Sequence, residues 1–176
     1  VINMVNGSGA VIGEAVLPHP DLGGIHFTGS TNTFQHLWRT VGENIDRYRQ
    51  YPRLVGETGG KDFIFVHPSA DMDAVATAIV RGAYEYQGQK CSAASRVYVP
   101  KSAWPALRDK LADEIASITM GDVREFSNFM GAVIDERAFR KHEEYLALGR
   151  ETAVTVAGGQ ANGEKGWYVE PTLFEV

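Results

Sequence analysis

The sequence has a single cysteine, no long apolar run and no excess of positive charge, and each of these absences excludes a class of protein. One cysteine cannot form an internal disulfide, so the fold does not depend on an oxidising compartment. No apolar run approaches the ~20 residues that cross a bilayer. Lysine and arginine total 17 against 22 aspartate and glutamate residues, which leaves no basic field for nucleic acid. We therefore expect no membrane and no nucleic acid among the partners.

Secretion is not expected either, because the first residues lack the charged-then-apolar pattern of a signal sequence. The opening segment VINMV, residues 1–5, is typical of a buried strand, and Val176 lies within an extended apolar segment. We expect this chain of 176 residues to be an internal piece of a longer protein. With 44% hydrophobic residues it can bury a substantial core.

Glycines punctuate the first sixty residues. In NGSGAVIGEAV the glycines are spaced one residue wider than in the dinucleotide fingerprint, so an ordinary turn into a helix is favoured over a nucleotide loop. In GGIHFTGST, residues 23–31, a short strand precedes a turn at Gly29, and Ser30 or Thr31 can cap the next helix. Such a turn suits a phosphate, but it is equally an ordinary connection. The helix that follows has one apolar face: Phe34, Leu37, Trp38, Val41, Ile45 and Tyr48.

Two strand-like runs in residues 53–68 flank the turn Glu57-Thr58-Gly59-Gly60-Lys61. The glycines allow a sharp turn and let another group approach closely. Glu57 therefore lies at the end of a strand beside an open position. It can be a general base, although a solvated turn residue is the more common identity of such a glutamate.

The only cysteine, Cys91, follows an amphipathic helix over residues 69–88 and precedes a strand at residues 96–100. Ser69 or Asp71 caps that helix. The neighbours of Cys91 are small or hydroxylated, which leaves room for a substrate at a nucleophilic thiolate. Glu57 is the most plausible residue to take a proton from water, whereas adjacency alone does not show that Lys90 faces the sulfur.

The remaining pattern predicts a helix from Ser102, a helix from Asp135, and strands in residues 153–159 and 166–176. Alternating strands and helices predict an α/β fold with parallel pairing. The five histidines show no metal-ligand spacing, and a thiolate zinc site is excluded by the single cysteine, so no metal is expected.

Taken together, FTGST, GETGGK and GQKCSAASR resemble the NAD(P)-dependent aldehyde dehydrogenase superfamily over essentially the whole chain. The longer stretches FTGSTNTFQHLW, YPRLVGETGGKDFIFVH and AYEYQGQKCSAASRVYVP are similar to its 1-pyrroline-5-carboxylate dehydrogenase branch. That branch oxidises glutamate γ-semialdehyde to glutamate in proline breakdown.

The resemblance implies an aldehyde dehydrogenase-like α/β fold. Residues 1–57 would be the end of a Rossmann-like NAD domain, and residues 58–176 the first part of the catalytic domain. Cys91 would attack the aldehyde carbon, Glu57 would activate the hydrolytic water, and Ser92 would bind the substrate carboxylate. NAD is the expected cofactor, with NADP not excluded, along Gly29, Ser30, Thr31, Asn32 and Thr33.

The chain departs from the superfamily at Thr58, where the usual motif E-L-G-G-K has leucine. It does not contain the upstream asparagine and lysine or the later E-x-F-G-P segment of the family, so we expect the chain alone to be inactive. The full-length protein is expected to be a homo-oligomer, located in the cytoplasm if bacterial and in the mitochondrial matrix if eukaryotic.

Three other functions stay open at this point. The substrate can be another semialdehyde, Cys91 and Glu57 can form a thiol hydrolase without redox chemistry, or the chain can be a noncatalytic NAD-binding module.

Overall fold

The computed structural model describes residues 2–176, in which helices alternate with short strands. A single 3₁₀ turn at Ile45–Arg47 and a turn with left-handed residues at Glu85–Gly88 lie between the longer elements. The helices are α1 Gly9–Val16, α2 Thr31–Glu43, α3 Met72–Tyr84, α4 Trp104–Ala116 and α5 Glu136–Thr152. The strands are β1 Gly24–Gly29, β2 Arg53–Thr58, β3 Asp62–Phe65, β4 Ala94–Tyr98, β5 Val154–Ala157, β6 Ala161–Asn162, β7 Tyr168–Val169 and β8 Leu173–Glu175.

The chain divides into two compact units, Val1–Gly59 and Gly60–Val176. This division falls two residues after the domain boundary implied by the family resemblance. The assignment of residues 1–57 to a cofactor domain and residues 58–176 to a catalytic domain stays a prediction.

In the first unit, β1 and β2 pair in parallel from Gly24 opposite Arg53 to Gly29 opposite Thr58. The Tyr48 hydroxyl donates a 2.6 Å hydrogen bond to the Leu17 carbonyl oxygen, which joins two distant loops. A small apolar core forms from the buried residues Leu17, Leu22 and Val41 and the partly buried Ile25, Leu37, Tyr48 and Leu54.

The strand predicted for residues 1–5 is wrong for the part that the structure describes. Residues 2–5 are exposed and form no strand, while Val1 lies outside the described residues. An apolar sequence becomes a strand only when a neighbouring strand accepts its backbone hydrogen bonds, and none of the described strands pairs with this segment. The glycine-rich segment that follows does lead into a helix, α1.

The helix α2 is shorter than its apolar periodicity predicts. It ends at Glu43, so Ile45 lies in a 3₁₀ turn and Tyr48 in extended backbone. The Asn44 side-chain amide donates a 2.8 Å hydrogen bond to the Thr40 carbonyl, which satisfies one of the last carbonyls of the helix. Trp38, expected on the core face, is 58% exposed.

In the second unit, β3 and β4 are parallel, and α3 packs against α4. Asp71, not Ser69, caps α3 by accepting hydrogen bonds from the Asp73 and Ala74 backbone N–H groups. The helix ends at Tyr84 and not at residue 88, because the next residues leave the right-handed helical conformation. The shared core contains Ala76, Ile79, Val80, Leu107, Leu111 and Ile115.

The helix predicted from Ser102 begins two residues later, at Trp104. A turn comes first, in which the Ala103 N–H donates to the Pro100 carbonyl over 2.9 Å. Asp135 caps α5 as predicted, by accepting a 2.7 Å hydrogen bond from the Ala138 N–H. Within residues 2–176, no helix is both long and apolar enough to cross a bilayer.

Parallel pairing, expected throughout, is wrong for the last four strands. The pairs β5–β8 and β6–β7 are antiparallel. Residues 163–167, between β6 and β7, are too few for the crossover of about a dozen residues that a parallel pair needs, and the segment between β5 and β8 contains no helix to form one. A second core cluster beside these strands contains Val133, Phe139, Leu146 and Val169.

Candidate active site

Cys91 lies at the outer end of a tight turn in the second unit. The Ala93 N–H donates a 3.2 Å hydrogen bond to the Lys90 carbonyl, so Cys91 and Ser92 are the two central residues of this turn. Both are exposed, and Cys91 is a free thiol. The turn therefore presents the thiol to solvent, where a small molecule can reach it.

A second backbone segment supports the Cys91 turn from the side of the glycine pair. The Gly60 N–H donates a 3.3 Å hydrogen bond to the Cys91 carbonyl. A Cβ atom at Gly60 would lie 3.0 Å from that carbonyl oxygen, closer than ordinary contacts allow. The close approach expected of the glycines in GETGGK is therefore confirmed at Gly60.

The ammonium of Lys90 points to a carboxylate. Its Nζ atom lies 2.7 Å from Glu85 Oε2, and Arg81 contributes a second ion pair to the same side chain at 3.0 Å. The hydrogen bond from Lys90 is the largest cause that holds the pKa of Glu85 below its usual value, and the charges of Lys90 and Arg81 add to it. Lys90 is adjacent to Cys91 in the sequence, but its ammonium pairs with Glu85.

Two side chains that sequence reasoning missed fasten the segment just before the cysteine. The Gln87 Nε2 donates to the Ala132 carbonyl over 3.3 Å, and the Gln89 Oε1 accepts from the Ile134 N–H over 3.0 Å. In both bonds the partner lies 45 positions further along the chain. Periodicity and local motifs carry no signal for contacts at such a separation.

The other predicted residues lie in the first unit, at the carboxyl ends of β1 and β2. Glu57 stands opposite Thr28 in the parallel register, and Thr58 stands opposite Gly29. Glu57 is exposed, which keeps its carboxylate accessible to water. The structure thus places Glu57 at the same strand edge as the turn that starts α2.

That turn has the features of a phosphate site. Ser30, not Thr31, caps α2: its Oγ accepts a 3.1 Å hydrogen bond from the Thr33 N–H and lies 2.7 Å from Thr33 Oγ1. The first N–H groups of a helix have no intrahelical partner, and the helix dipole is positive at this end. All five predicted cofactor-binding residues are exposed, so the helix start is open to a ligand: Gly29, Ser30, Thr31, Asn32 and Thr33.

His19 and His67 make local hydrogen bonds, the first by accepting from the Asp21 N–H over 3.2 Å. His67 Nδ1 accepts a 3.2 Å hydrogen bond from the Ser69 N–H and lies 2.8 Å from Ser69 Oγ, which stabilises the turn before α3. Over residues 2–176, no group of three histidine, cysteine or acidic side chains is placed to hold a metal ion.

With this geometry in place, comparison with known proteins gives the family. The model of the aldehyde dehydrogenase family matches residues 1–176. The chain belongs to the aldehyde dehydrogenase family. The resemblance stated from the motifs FTGST, GETGGK and GQKCSAASR is confirmed.

Relatives within the aldehyde dehydrogenase family share almost half of the residues. The chain is 48% identical over 178 residues to the mitochondrial delta-1-pyrroline-5-carboxylate dehydrogenase of Mus musculus, covering 99% of this chain and 32% of the relative. The relative named probable delta-1-pyrroline-5-carboxylate dehydrogenase from Schizosaccharomyces pombe is 43% identical, covering 98% and 33%. The chain therefore spans about a third of the length of these curated relatives.

Solved structures of the aldehyde dehydrogenase family have the same fold as this chain. The delta-pyrroline-5-carboxylate dehydrogenase of Mycobacterium tuberculosis bound with NAD superposes with a TM-score of 0.92 at 46% identity, covering 96% of this chain and 32% of that chain. The 1-pyrroline-5-carboxylate dehydrogenase from Thermus with bound NAD gives 0.88 at 32% identity, with the same coverage. The predicted α/β, aldehyde dehydrogenase-like fold is confirmed.

Proposed function

We propose that this chain contributes the nucleophile and the water-activating base of an NAD-dependent aldehyde dehydrogenase that oxidises L-glutamate γ-semialdehyde to L-glutamate. The observation that carries the proposal is the exposed Cys91 thiol on its supported turn, in a chain of the aldehyde dehydrogenase family. The names of relatives at 43–48% identity support the substrate.

The N-terminus of α2 fits the cofactor. Two similar structures are described as bound with NAD. Free backbone N–H groups and the positive end of a helix dipole favour binding of a pyrophosphate. The open turn from Gly29 to Thr33 provides both at the start of α2. When bound, NAD supplies the acceptor for the hydride that leaves the aldehyde carbon.

Cys91 acts first in the proposed reaction. Its thiolate sulfur forms a bond to the aldehyde carbon, and the carbonyl π electrons move to oxygen, giving a thiohemiacetal. The backbone N–H of Cys91 can donate to the developing oxyanion, and Ser92 donates to the substrate carboxylate. Loss of hydride from the tetrahedral carbon leaves a thioester on Cys91.

Glu57 acts second. Its carboxylate takes a proton from water while the water oxygen bonds to the thioester carbon. Collapse of the tetrahedral intermediate breaks the carbon–sulfur bond, which releases glutamate and returns Cys91 as a thiolate.

The whole enzyme has further properties that we propose from the family. It acts as a homo-oligomer of a protein longer than this chain, in the mitochondrial matrix of a eukaryote or the cytoplasm of a bacterium. The mitochondrial names of eukaryotic relatives support the first location.

A steady-state assay tests this function in the full-length protein, meaning a protein of the relatives' length that contains this chain. We expect NADH formation with glutamate γ-semialdehyde, slower turnover of a neutral aldehyde of equal length, and activity reduced by at least about 10³-fold in Cys91→Ala, because alanine has no thiolate to capture the aldehyde. NADP is assayed beside NAD. The 176-residue chain alone is expected to form no NADH.

Three outcomes contradict the proposal. Wild-type turnover in Cys91→Ala would show that Cys91 is not the nucleophile. Ester cleavage that is independent of NAD, without aldehyde oxidation, favours a thiol hydrolase. Equal kcat/KM values for the semialdehyde and the neutral aldehyde would show that glutamate γ-semialdehyde is not the preferred substrate.

A further inference from the structure

The segment between α3 and the Cys91 turn has an unusual backbone. Tyr86 and Gln87 have φ angles of 57° and 56°, and Gly88 follows with 65°. Three consecutive residues therefore have left-handed backbone conformations, which residues other than glycine rarely adopt. Residues persist in such conformations only where surrounding contacts hold them, and these positions concentrate at functional sites.

The side chains of this segment show what holds it. Gln87 Nε2 donates to the Ala132 carbonyl, and Gln89 Oε1 accepts from the Ile134 N–H. The two amides thus bond to alternate backbone groups of one short segment, residues 132–134. With the bond from the Gly60 N–H to the Cys91 carbonyl, the cysteine loop is held from two sides.

Residues 132–134 form a firm support. Between the two bonded residues, Val133 is 5% exposed and belongs to the second core cluster. Its backbone N–H donates a 2.8 Å hydrogen bond to the Trp167 carbonyl. A Cβ atom at Gly131 would lie 2.9 Å from Gln87 Nε2, so the glycine gives the amide its room.

We propose that Gln87 and Gln89 are positioning residues, whose hydrogen bonds to residues 132–134 hold the Cys91 turn in its reactive place. The proposal rests on the proposed role of Cys91 as nucleophile. Displacement of a reacting atom by about 1 Å can lower the rate about 100-fold, so a loop that carries a nucleophile needs such support.

The Gln87 side chain donates its hydrogen bond and the Gln89 side chain accepts its own, so the same change to glutamate at the two positions gives a matched test. Gln89 accepts a hydrogen bond, and a glutamate at this position can still accept it. Gln87 donates, and a glutamate there has no proton to donate at neutral pH and faces a carbonyl oxygen. In the full-length protein we expect Gln87→Glu to lower kcat at least about tenfold and Gln89→Glu to retain kcat within about threefold.

The kcat of Gln89→Glu is measured at the plateau of its pH profile, because a carboxylate near a thiol favours the neutral thiol. Gln89→Ala, which cannot accept, should lose about as much kcat as Gln87→Glu, with the KM for NAD unchanged. Gln160→Ala is the control, because Gln160 is exposed and its hydrogen bonds come from its backbone. If Gln87→Glu does not fold, as judged by its thermal midpoint, Gln87→Met replaces it as a variant without a donor.

The rate of Cys91 alkylation by iodoacetamide is a second readout that needs no turnover. We expect Gln87→Glu to change the rate constant for alkylation of the Cys91 thiolate by at least about threefold, and Gln160→Ala to leave this rate constant unchanged. A wild-type protein that oxidises no aldehyde would overturn the proposed function, while the alkylation rates still test the positioning role. Wild-type kcat and alkylation in Gln87→Glu, or equal losses in the two glutamate variants, would overturn the positioning role itself.

Discussion

At Gly56, in the middle of β2, the ring of Phe34 occupies the space that a side chain would need. A Cβ atom at this position would overlap the Phe34 ring. That ring cannot move freely, because it stacks on Phe27 at 6.0 Å between centroids and meets Trp38 edge-on at 5.8 Å. The glycine therefore permits α2 to pack on β2, the strand that contains Glu57.

We expect Gly56→Ala to lower the free energy of unfolding by about 1–3 kcal/mol, because overpacking displaces the aromatic rings. Urea denaturation of the full-length protein measures this. The matched control is Gly42→Ala in α2, where nothing lies within 4 Å of the new Cβ. Alanine at that helical position should raise the stability by about 0.5–1 kcal/mol. Equal effects of the two variants would refute the packing role of Gly56.

Single residues were predictable from the sequence where their role is local. A capping side chain bonds within three residues, so the sequence restricted the choice to Ser30 or Thr31 and to Ser69 or Asp71, and the structure selects Ser30 and Asp71. Contacts across 45 positions were not predictable, because one sequence holds no record of which distant segments meet. The bonds of Gln87 and Gln89 belong to that second kind.

At the scale of elements, the packing of α3 on α4 forms the main core of the second unit. Leu107 of α4 is fully buried in it, at 0% exposure. This core lies beneath β3 and β4, through the partly buried Ile64 and Val97. The Cys91 turn enters β4 directly, so the core supports the element that follows the proposed nucleophile.

We expect Leu107→Ala to reduce the free energy of unfolding by about 2–5 kcal/mol, because it leaves a cavity in this core. Leu148→Ala in α5 is the matched control, since Leu148 is 52% exposed, and it should cost less than about 1 kcal/mol. The comparison uses thermal and urea denaturation of the full-length protein. Similar losses in both variants would contradict the assignment of the core.

The apolar periodicity predicted the helices α3, α4 and α5 because burial follows the helical repeat. It did not predict where helices end, since a helix end depends on backbone conformations and caps that apolar spacing does not encode. Thus α3 stops at Tyr84, before the left-handed residues, although the helix was predicted to reach residue 88. The strand directions of β5 and β8 were missed for a similar reason, because alternation of apolar residues is the same in both pairings.

At the scale of the whole molecule, the chain covers about a third of its relatives and divides into two units. Glu57 lies in the first unit and Cys91 in the second. Each unit supplies one of the two proposed chemical roles, a base for water and a nucleophile for the aldehyde. The chemistry of the two side chains suggested this pairing and the family resemblance assigned their roles, whereas the periodicity did neither, because a separation of 34 positions has no meaning in the spacing of a helix or a strand.

The central claim is that Cys91 forms an acyl intermediate which Glu57 helps to hydrolyse. Rapid mixing of the full-length Glu57→Gln variant with glutamate γ-semialdehyde and NAD tests it most directly, with NADH absorbance followed in time. We predict a burst of about one NADH per active site and then a stall, with an acyl adduct on Cys91 in the mass spectrum. Steady NADH formation at the wild-type rate, without an adduct on Cys91, would contradict the account.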